Sequence, residues 1–273
     1  MKPVQLFVTC MVDAFRPEAG IAAARVLERR GAAVDFPADQ TCCGQFSFNA
    51  GYHHEAARLA RHFVHVFEGT EGSIVALSGS CAAMVIHEYP SLIAEDVIST
   101  GGTTGEAADW KERAVRIGDR VVELSQWITQ FTENSPEVPN PVVSAVLHQG
   151  CHMRRLLKAN VEPEAVLRQA GINPITMDDA DQCCGFGGTY SMTEWKVSTA
   201  LADAKWYSVK KTIHEHNIAC LTSADLGCLL HLEGRQSRLG ETFPVMYLAE
   251  LIDRADQGML MEKGETDGWD TSR

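Results

Sequence analysis

Eight of the nine cysteines in this 273-residue chain form two sets of four, and the first three members of each set have the same spacing. In each set a single cysteine is followed 32 positions later by Cys-Cys-Gly, and a fourth cysteine comes further on. Thiolates are soft ligands that select zinc or iron–sulfur clusters, whereas magnesium and calcium prefer oxygen. The spacing therefore predicts two metal centres, one held by Cys10, Cys42, Cys43 and Cys81, the other by Cys151, Cys183, Cys184 and Cys228.

The spacing also predicts an internal duplication. The first three cysteines of the second set and the glycine after them each lie 141 positions after their counterparts, and Cys228 lies 147 positions after Cys81. Such register over half a chain indicates two homologous domains. A segment with three prolines, at 132–141, separates them. We expect domains at 1–139 and 140–256, followed by a polar tail at 257–273.

Hydrophobic patterning predicts the elements that must position the cysteines. The first half is expected to contain strands at 4–9, 33–36 and 74–77 and helices at 17–30, 50–67 and 82–89. The second half is expected to contain strands at 142–147, around 175, at 218–222 and at 245–248, and helices at 164–170, 193–216 and 228–232. This alternation predicts an α/β fold in which each domain is a small parallel sheet flanked by helices.

The cysteines come directly after predicted strands or at the start of the next helix. Because the carboxyl ends of parallel strands meet at one crevice, four thiols distant in sequence can converge there. Helix N-termini at that edge favour thiolate over thiol. Glycines allow the backbone to approach a bound cluster and point N–H groups at it, a role we assign to Gly44, Gly185, Gly187 and Gly188.

Cys220 and two vicinal cysteine pairs require separate interpretation. Cys220 has no counterpart in the first half and lies in the apolar segment Ile-Ala-Cys-Leu, so we predict a buried core thiol. A disulfide framework is not expected in a chain of this length without an export signal. A disulfide between Cys42 and Cys43, or between Cys183 and Cys184, remains an alternative resting state, although a strained one.

Composition excludes several classes of protein. The formal net charge of -12 repels phosphate backbones and anionic lipid surfaces, so we expect no nucleic-acid partner. The apolar runs are too short for a membrane span, and the first residues lack the apolar core of a signal peptide. We therefore expect a cytoplasmic protein.

Several segments resemble a known family. They are Ser78-Gly-Ser-Cys-Ala-Ala-Met84, Leu147-His-Gln-Gly-Cys-His152, Cys183-Cys-Gly-Phe-Gly-Gly-Thr189, Ala224-Asp-Leu-Gly-Cys-Leu-Leu-His231 and Leu248-Ala-Glu-Leu251. Together with the doubled cysteine motif they resemble the cysteine-rich CCG domains of iron–sulfur oxidoreductases, which include the cysteine-rich subunit of heterodisulfide reductase and the iron–sulfur subunit of glycolate oxidase. The resemblance is strongest to the lactate-utilisation members of this family.

That resemblance implies an electron-transfer subunit. Because each set of four sulfurs is enough for one ordinary [4Fe–4S] cluster, we expect up to two such clusters. Thiolates exposed enough to exchange electrons also lose iron in air, so we expect aerobic preparations to be depleted of iron or to carry zinc. The resemblance further implies a ferredoxin-like iron–sulfur subunit and a third subunit as partners in L-lactate oxidation. The fullest form of the family motif ends in Cys-x-x-Cys and offers five thiols, whereas Ser78 and Asp225 replace the extra cysteine here. We expect Asp225 to cap the helix that it precedes, with iron ligation as the alternative, and Ser78 to hydrogen-bond locally.

Two other functions remain open from the sequence. A zinc-stabilised assembly subunit would use the same cysteines without redox chemistry. A thiol–disulfide oxidoreductase would resemble heterodisulfide reductase, but the replaced fifth cysteines disfavour it. Three histidines near the cysteines, at 148, 152 and 231, either hydrogen-bond sulfur or are structural, and we expect the structural role.

Overall fold

A computed structural model describes residues 2–132, 141 and 143–260, which form two four-stranded sheets. All neighbouring strands are parallel, and both sheets place their strands in the same order, β2-β1-β3-β4 and β6-β5-β7-β8. The strands are β1 (Lys2–Phe7), β2 (Ala32–Asp35), β3 (Ser73–Ala76), β4 (Val121–Glu123), β5 (Val143–His148), β6 (Ile172–Thr176), β7 (Cys220–Ser223) and β8 (Val245–Tyr247). The predicted duplicated α/β fold is therefore confirmed.

Helices cover both sheets, which explains the continuous burial of the central strands. All four residues of β7 and the last four of β1 are buried. The first half contains α1 (Cys10–Phe15), α2 (Pro17–Arg29), α3 (Gln45–Asn49), α4 (His53–Glu68), α5 (Gly79–Ala83), α6 (Tyr89–Ser99), α7 (Thr104–Gly118) and α8 (Leu124–Thr132). The second half contains α9 (Glu162–Gln169), α10 (Tyr190–Thr193), α11 (Trp195–Glu215), α12 (Leu226–Arg238) and α13 (Leu248–Asp256).

Two π-helical turns interrupt this pattern, at Met84–Glu88 and Met153–Leu157. Single turns of this kind are rare and occur frequently at functional sites. The second begins two residues after Cys151, and the first begins three residues after Cys81. Both π-helical turns therefore come shortly after a cysteine that lies at a sheet edge.

The two halves exchange their last helices. Helix α8 follows β4 but packs against α9, while α13 follows β8 and packs against α2. Trp127 and Ile128 of α8 belong to the same buried cluster as Val166 and Leu167 of α9. One hydrophobic core consequently extends through both halves.

Ion pairs reinforce the contact between α2 and the second half. The Arg16 guanidinium lies 2.8 Å from Glu233, and the Arg30 guanidinium lies 2.7 Å from Asp256. Arg29 pairs at 2.6 Å with Asp253, whose side chain is only 8% exposed. Partial burial makes such pairs less screened than exposed ones, so they help to fix the orientation of the two halves.

The sequence predictions omitted the part of the first half that follows residue 89. Helices α6, α7 and α8 and strand β4 lie there, and Thr103 and Glu106 form a reciprocal N-cap for α7. Strand β4 has three residues, too few to produce a recognisable period. The predicted domain boundary at 139 lies outside the described residues, as do residues 261–273 of the predicted tail, so this division remains a prediction.

Candidate metal centres

The first four cysteines gather at the carboxyl edge of the first sheet. Cys10 begins α1 after β1, Cys42 and Cys43 precede α3, and Cys81 lies in α5 after β3. The Sγ atoms of Cys10 and Cys42 are 3.4 Å apart, and those of Cys43 and Cys81 are 3.2 Å apart. Because β1 and β3 leave the sheet at the point where the strand order reverses, their following segments bound a crevice. We call these four residues the first quartet.

The second quartet repeats this arrangement at the second sheet. Cys151 follows β5, Cys183 and Cys184 lie between β6 and α10, and Cys228 lies in α12 after β7. The Sγ atoms of Cys184 and Cys228 are 2.9 Å apart, and the neighbouring Cys183 raises the pKa of Cys151. The structure thus brings together both predicted sets of thiols, and their metal binding remains a prediction.

The third position of each Cys-Cys-Gly segment requires glycine because of its backbone conformation. Gly44 and Gly185 have positive φ angles of 84° and 90°, which side chains rarely adopt. Their N–H groups donate to the Sγ atoms of Cys42 at 3.4 Å and Cys183 at 3.3 Å. A Cβ at Gly185 would lie 2.4 Å from the carbonyl oxygen of Ser198. Each glycine therefore allows a helix to approach closely while its amide stabilises charge on sulfur.

The other two glycines predicted to approach a cluster lie in the loop after Cys184. Gly187 and Gly188 also have positive φ angles, of 55° and 69°. A Cβ at Gly188 would lie 2.4 Å from a ring carbon of Phe46, which belongs to the first half. Close packing between the halves therefore requires glycine at 188, and a role for either residue in cofactor binding remains a prediction.

Each quartet stabilises negative charge on the first cysteine of its vicinal pair. Hydrogen bonds from Cys10, Cys43 and the Gly44 amide lower the pKa of Cys42 to about 3. Hydrogen bonds from Cys151 and Cys184 lower the pKa of Cys183 to about 2. Hydrogen bonding to neighbouring cysteines, followed by burial, raises the pKa of four other members, Cys10, Cys43, Cys151 and Cys184.

This charge distribution fits a site for a cation. A crowded set of buried thiols holds one negative charge readily, and further ionisation requires a compensating positive charge. Metal ions supply that charge and deprotonate the thiols that bind them. Four sulfurs per quartet also match the ligand number of an ordinary [4Fe–4S] cluster or a tetrahedral zinc ion.

Both quartets line a single cleft between the halves, which contains about 750 Å³ of empty space including its open mouth. Seven of the eight cysteines contribute to its lining, and Cys42 does not. Phe46 and Phe186, one from each half, meet edge to face with centroids 5.9 Å apart. Among the described residues that line the cleft there is neither lysine nor arginine.

Asp225 connects the halves at this cleft. Its Oδ1 atom accepts hydrogen bonds from the Ser78 hydroxyl at 2.6 Å and from the Ser80 N–H at 2.9 Å. The prediction that Asp225 caps its own helix, α12, is wrong because the side chain makes no such bond. It instead caps α5 of the other half. Its Oδ2 atom is buried without a hydrogen-bond partner among the described residues.

The three histidines near the cysteines differ in their partners. His152 Nδ1 lies 3.5 Å from Cys151 Sγ, and His231 Nε2 lies 3.2 Å from the Ser198 hydroxyl. His148 is 1% exposed, and burial lowers its pKa to about 3. Its nearest ligand atom and the Sγ atoms of Cys184 and Cys228 all lie within 4.8 Å of one another. From the sequence, His148 was expected to be structural; its counterpart, 141 positions earlier, is Phe7.

Cys220 lies apart from both quartets, in the buried centre of the second sheet. It is fully buried in β7, and burial raises its pKa to about 12. The prediction of a core thiol is confirmed.

Comparison with known proteins agrees with the duplicated geometry. The chain belongs to the cysteine-rich CCG domain family, whose profile matches it twice, at residues 4–86 and 145–233. It is similar to Lactate utilization protein A of Halalkalibacterium halodurans, with 34% identity over 255 residues that cover 93% of this chain and 98% of the relative. The protein of the same name from Bacillus pumilus is 36% identical over 251 residues, covering 92% and 98% respectively.

A solved structure shares the fold. A hypothetical protein from Helicobacter pylori aligns with a TM-score of 0.56 and 11% identity, over 99% of this chain and 51% of that protein. This chain therefore spans about half the length of that structure, and the likeness concerns the fold alone. Among the helices of the described residues, none combines the length and apolar character needed to cross a bilayer.

Proposed function

We propose that this protein is an iron–sulfur electron-transfer subunit of an L-lactate utilisation complex. The observation that carries the proposal is the single cleft lined by both cysteine quartets. When bound, a [4Fe–4S] cluster at each quartet supplies one-electron redox chemistry. Two such centres beside one cleft suit a relay that receives and passes on electrons.

The residues around each quartet support a redox role. The Gly44 and Gly185 amides donate to sulfur, and such hydrogen bonds are among the features that set the reduction potential of a cluster. Half-burial of Cys10, Cys42, Cys151 and Cys183 keeps part of each quartet near solvent, where a partner can approach. All nine cysteines are free thiols, which suits a reducing cytoplasm.

The cleft is poorly suited to binding lactate itself. A 2-hydroxycarboxylate needs a cationic partner, and neither lysine nor arginine occurs among the described lining residues. Asp225 and the cysteine thiolates would repel the anion. We therefore assign oxidation of the organic acid to other subunits: a ferredoxin-like iron–sulfur subunit and a third subunit. The names of the relatives support lactate as the fuel.

The test is anaerobic purification of the full chain followed by iron, sulfide and zinc analysis. We expect about four iron and four sulfide for each quartet, with visible absorption that dithionite bleaches. Aerobic preparations should lose iron and acquire zinc, because exposed thiolates oxidise readily. Stoichiometric zinc without iron in the anaerobic protein would contradict the redox role and favour a zinc-stabilised assembly subunit.

A further inference from the structure

We infer that Lys205 holds a buried positive charge beside the second quartet and thereby makes the cluster there the electron acceptor of the pair. Phe63 occupies the equivalent position in the first half and carries no charge. The inference rests on the proposed binding of one [4Fe–4S] cluster by each quartet. It gives the relay a direction, from the first centre to the second.

Helix α11 packs one face against the Cys-Cys-Gly segment of the second quartet. A Cβ at Gly185 would lie 2.4 Å from the carbonyl oxygen of Ser198 and 3.0 Å from the Cβ of Leu201. Positions three and four residues apart on a helix are neighbours on one face, and Lys205 comes four residues after Leu201. Lys205 therefore lies on the side of α11 that faces the second quartet.

The first half repeats this packing around Gly44. A Cβ at Gly44 would lie 3.3 Å from the carbonyl oxygen of Ala56 and 3.4 Å from the Cβ of Leu59, both in α4. Four residues after Leu59 comes Phe63, on the same helical face. The duplicated fold thus places Phe63 beside the first quartet and Lys205 beside the second.

The neighbour of this position also differs between the halves. Phe63 meets Phe7 edge to face, with centroids 4.8 Å apart, and both side chains are buried. The counterpart of Phe7 is His148. Burial, followed by the nearby charge of Lys205, lowers the pKa of His148 to about 3. An apolar pair fits this part of the fold, so packing alone does not require the lysine.

Lys205 is 0% exposed, and burying an ammonium group costs free energy unless an opposite charge compensates it. Its Nζ atom donates to the carbonyl oxygens of Asp179 at 2.9 Å and Ala180 at 3.2 Å, which carry no full charge. Burial lowers the pKa of Lys205, whereas the charges of nearby anionic groups, including Cys184 and Cys228, act to raise it. An anionic cluster held by these sulfurs would therefore stabilise the protonated lysine.

A buried cation changes the redox equilibrium of a neighbouring cluster. The cluster gains negative charge on reduction, so a nearby positive charge stabilises its reduced form more than its oxidised form and raises its reduction potential. One electron then passes from the first centre, which is oxidised, to the second, which is reduced, and no covalent bond forms or breaks. Oxidation of the 2-hydroxy acid supplies the electron.

The experiment is an anaerobic redox titration of the full cluster-loaded chain, followed by electron paramagnetic resonance. Cys81→Ser and Cys228→Ser each remove a ligand of one centre, so the signal lost in each variant assigns the two centres. In wild-type protein the second centre should be reduced at the higher potential. An equal or lower potential for the second centre would overturn the inference, and this measurement needs no substitution at position 205.

Two variants separate the charge of Lys205 from its hydrogen bonds. Lys205→Gln removes the charge but keeps an N–H donor. It should shift electron transfer between the centres at least about tenfold toward the first, which is about 59 mV for one electron. Lys205→Arg keeps the charge and should retain the wild-type order of the potentials. A purely structural role would not distinguish the two variants in this way.

Lys210→Gln is the matched control, because it makes the same substitution on the same helix at the surface. The Lys210 side chain is 46% exposed and pairs with Glu241 at 2.8 Å, so solvent screens its charge. Neither potential should move. A Lys205→Gln protein that retains both clusters with unchanged potentials would contradict the inference. Wild-type protein that takes up no iron would instead refute the proposed function, and the direction of transfer with it.

Discussion

The Ser78 hydroxyl donates a hydrogen bond of 2.6 Å to Asp225 Oδ1, joining equivalent positions of the two halves. Each residue lies three positions before the last cysteine of its quartet. In the fuller family motif these positions carry additional thiols, whereas here they form a buried polar contact on the wall of the shared cleft. The contact fixes the halves relative to each other beside both quartets.

Replacing either partner of this contact should destabilise the protein without removing iron. Asp225→Ala leaves the Ser78 hydroxyl and the Ser80 N–H without their acceptor, and we expect a loss of about 1–3 kcal/mol in the free energy of unfolding. Ser78→Ala should cost less, about 0.5–1.5 kcal/mol. Denaturant unfolding of the anaerobic protein measures both losses.

A double-mutant cycle separates this contact from independent effects. Because the two side chains share a bond, the double variant should lose less stability than the two single losses added together. Asp225→Asn retains an acceptor oxygen and should fall between wild type and Asp225→Ala. Additive losses would contradict the coupling, and loss of iron in Asp225→Ala would show that the carboxylate is a ligand.

Two cysteines in the second half should respond differently to substitution. Cys228→Ser removes a sulfur that lies 2.9 Å from Cys184 Sγ, so we expect loss of one cluster, about half of the iron and the corresponding visible absorption. Cys220→Ala truncates a fully buried thiol in β7 and should retain both clusters, at a stability loss of up to about 1 kcal/mol. Equal iron loss in the two variants would contradict the ligand assignment.

The sequence was sufficient to predict the duplication and the gathering of both quartets. The cysteine spacing shows the 141-residue repeat directly, and local hydrophobic patterning locates the strand ends. The cap that Asp225 provides was not predictable, since it depends on how the halves dock. The same holds for the exchange of α8 and α13. A histidine near cysteines is ambiguous in sequence, so the pattern alone did not show that His148 lies beside Cys184 and Cys228.

The glycine of the second Cys-Cys-Gly segment should tolerate alanine poorly. Gly185 has a positive φ, and a Cβ added to it would lie 2.4 Å from the carbonyl oxygen of Ser198. Gly31 also has a positive φ, but a Cβ added there would have no atom within 4 Å. Gly31→Ala should therefore cost about 1 kcal/mol from backbone strain alone. Gly185→Ala should cost clearly more and weaken cluster retention. Similar unfolding free energies for the two variants would contradict a role for close approach.

The exchanged helices predict that neither half folds cooperatively alone. In a fragment of residues 1–139, Trp127 and Ile128 would lose their packing against α9. In a fragment of residues 140–256, α13 would lose α2 and its ion pairs. We expect each fragment to lack a cooperative thermal transition and an equimolar mixture to recover one. Calorimetry measures this, and cooperative unfolding of either fragment alone would support independent domains.

Glu123 provides a pH-dependent contribution to stability. It ends β4 and is fully buried, with its Oε2 atom accepting hydrogen bonds from the Ser125 N–H and hydroxyl. Burial raises the pKa of Glu123 to about 8, despite those bonds. In the unfolded chain a glutamate ionises near ~4.3. Between these two values the folded protein binds the proton that the unfolded chain has released, so stability falls as pH rises.

Glu123→Gln mimics the protonated carboxyl and should remove this loss. At pH 5 the variant should exceed wild type by only about 1 kcal/mol in unfolding free energy, because pH 5 lies less than one unit above the value near which the unfolded glutamate ionises. At pH 8 the variant should be more stable, by an amount on the order of a few kcal/mol. The control is Glu55→Gln on the exposed surface of α4, which should leave the pH profile unchanged. If the profiles of Glu123→Gln and wild type ran parallel from pH 5 to pH 8, Glu123 would be ionised in the folded protein throughout that range, contrary to the effect of its burial.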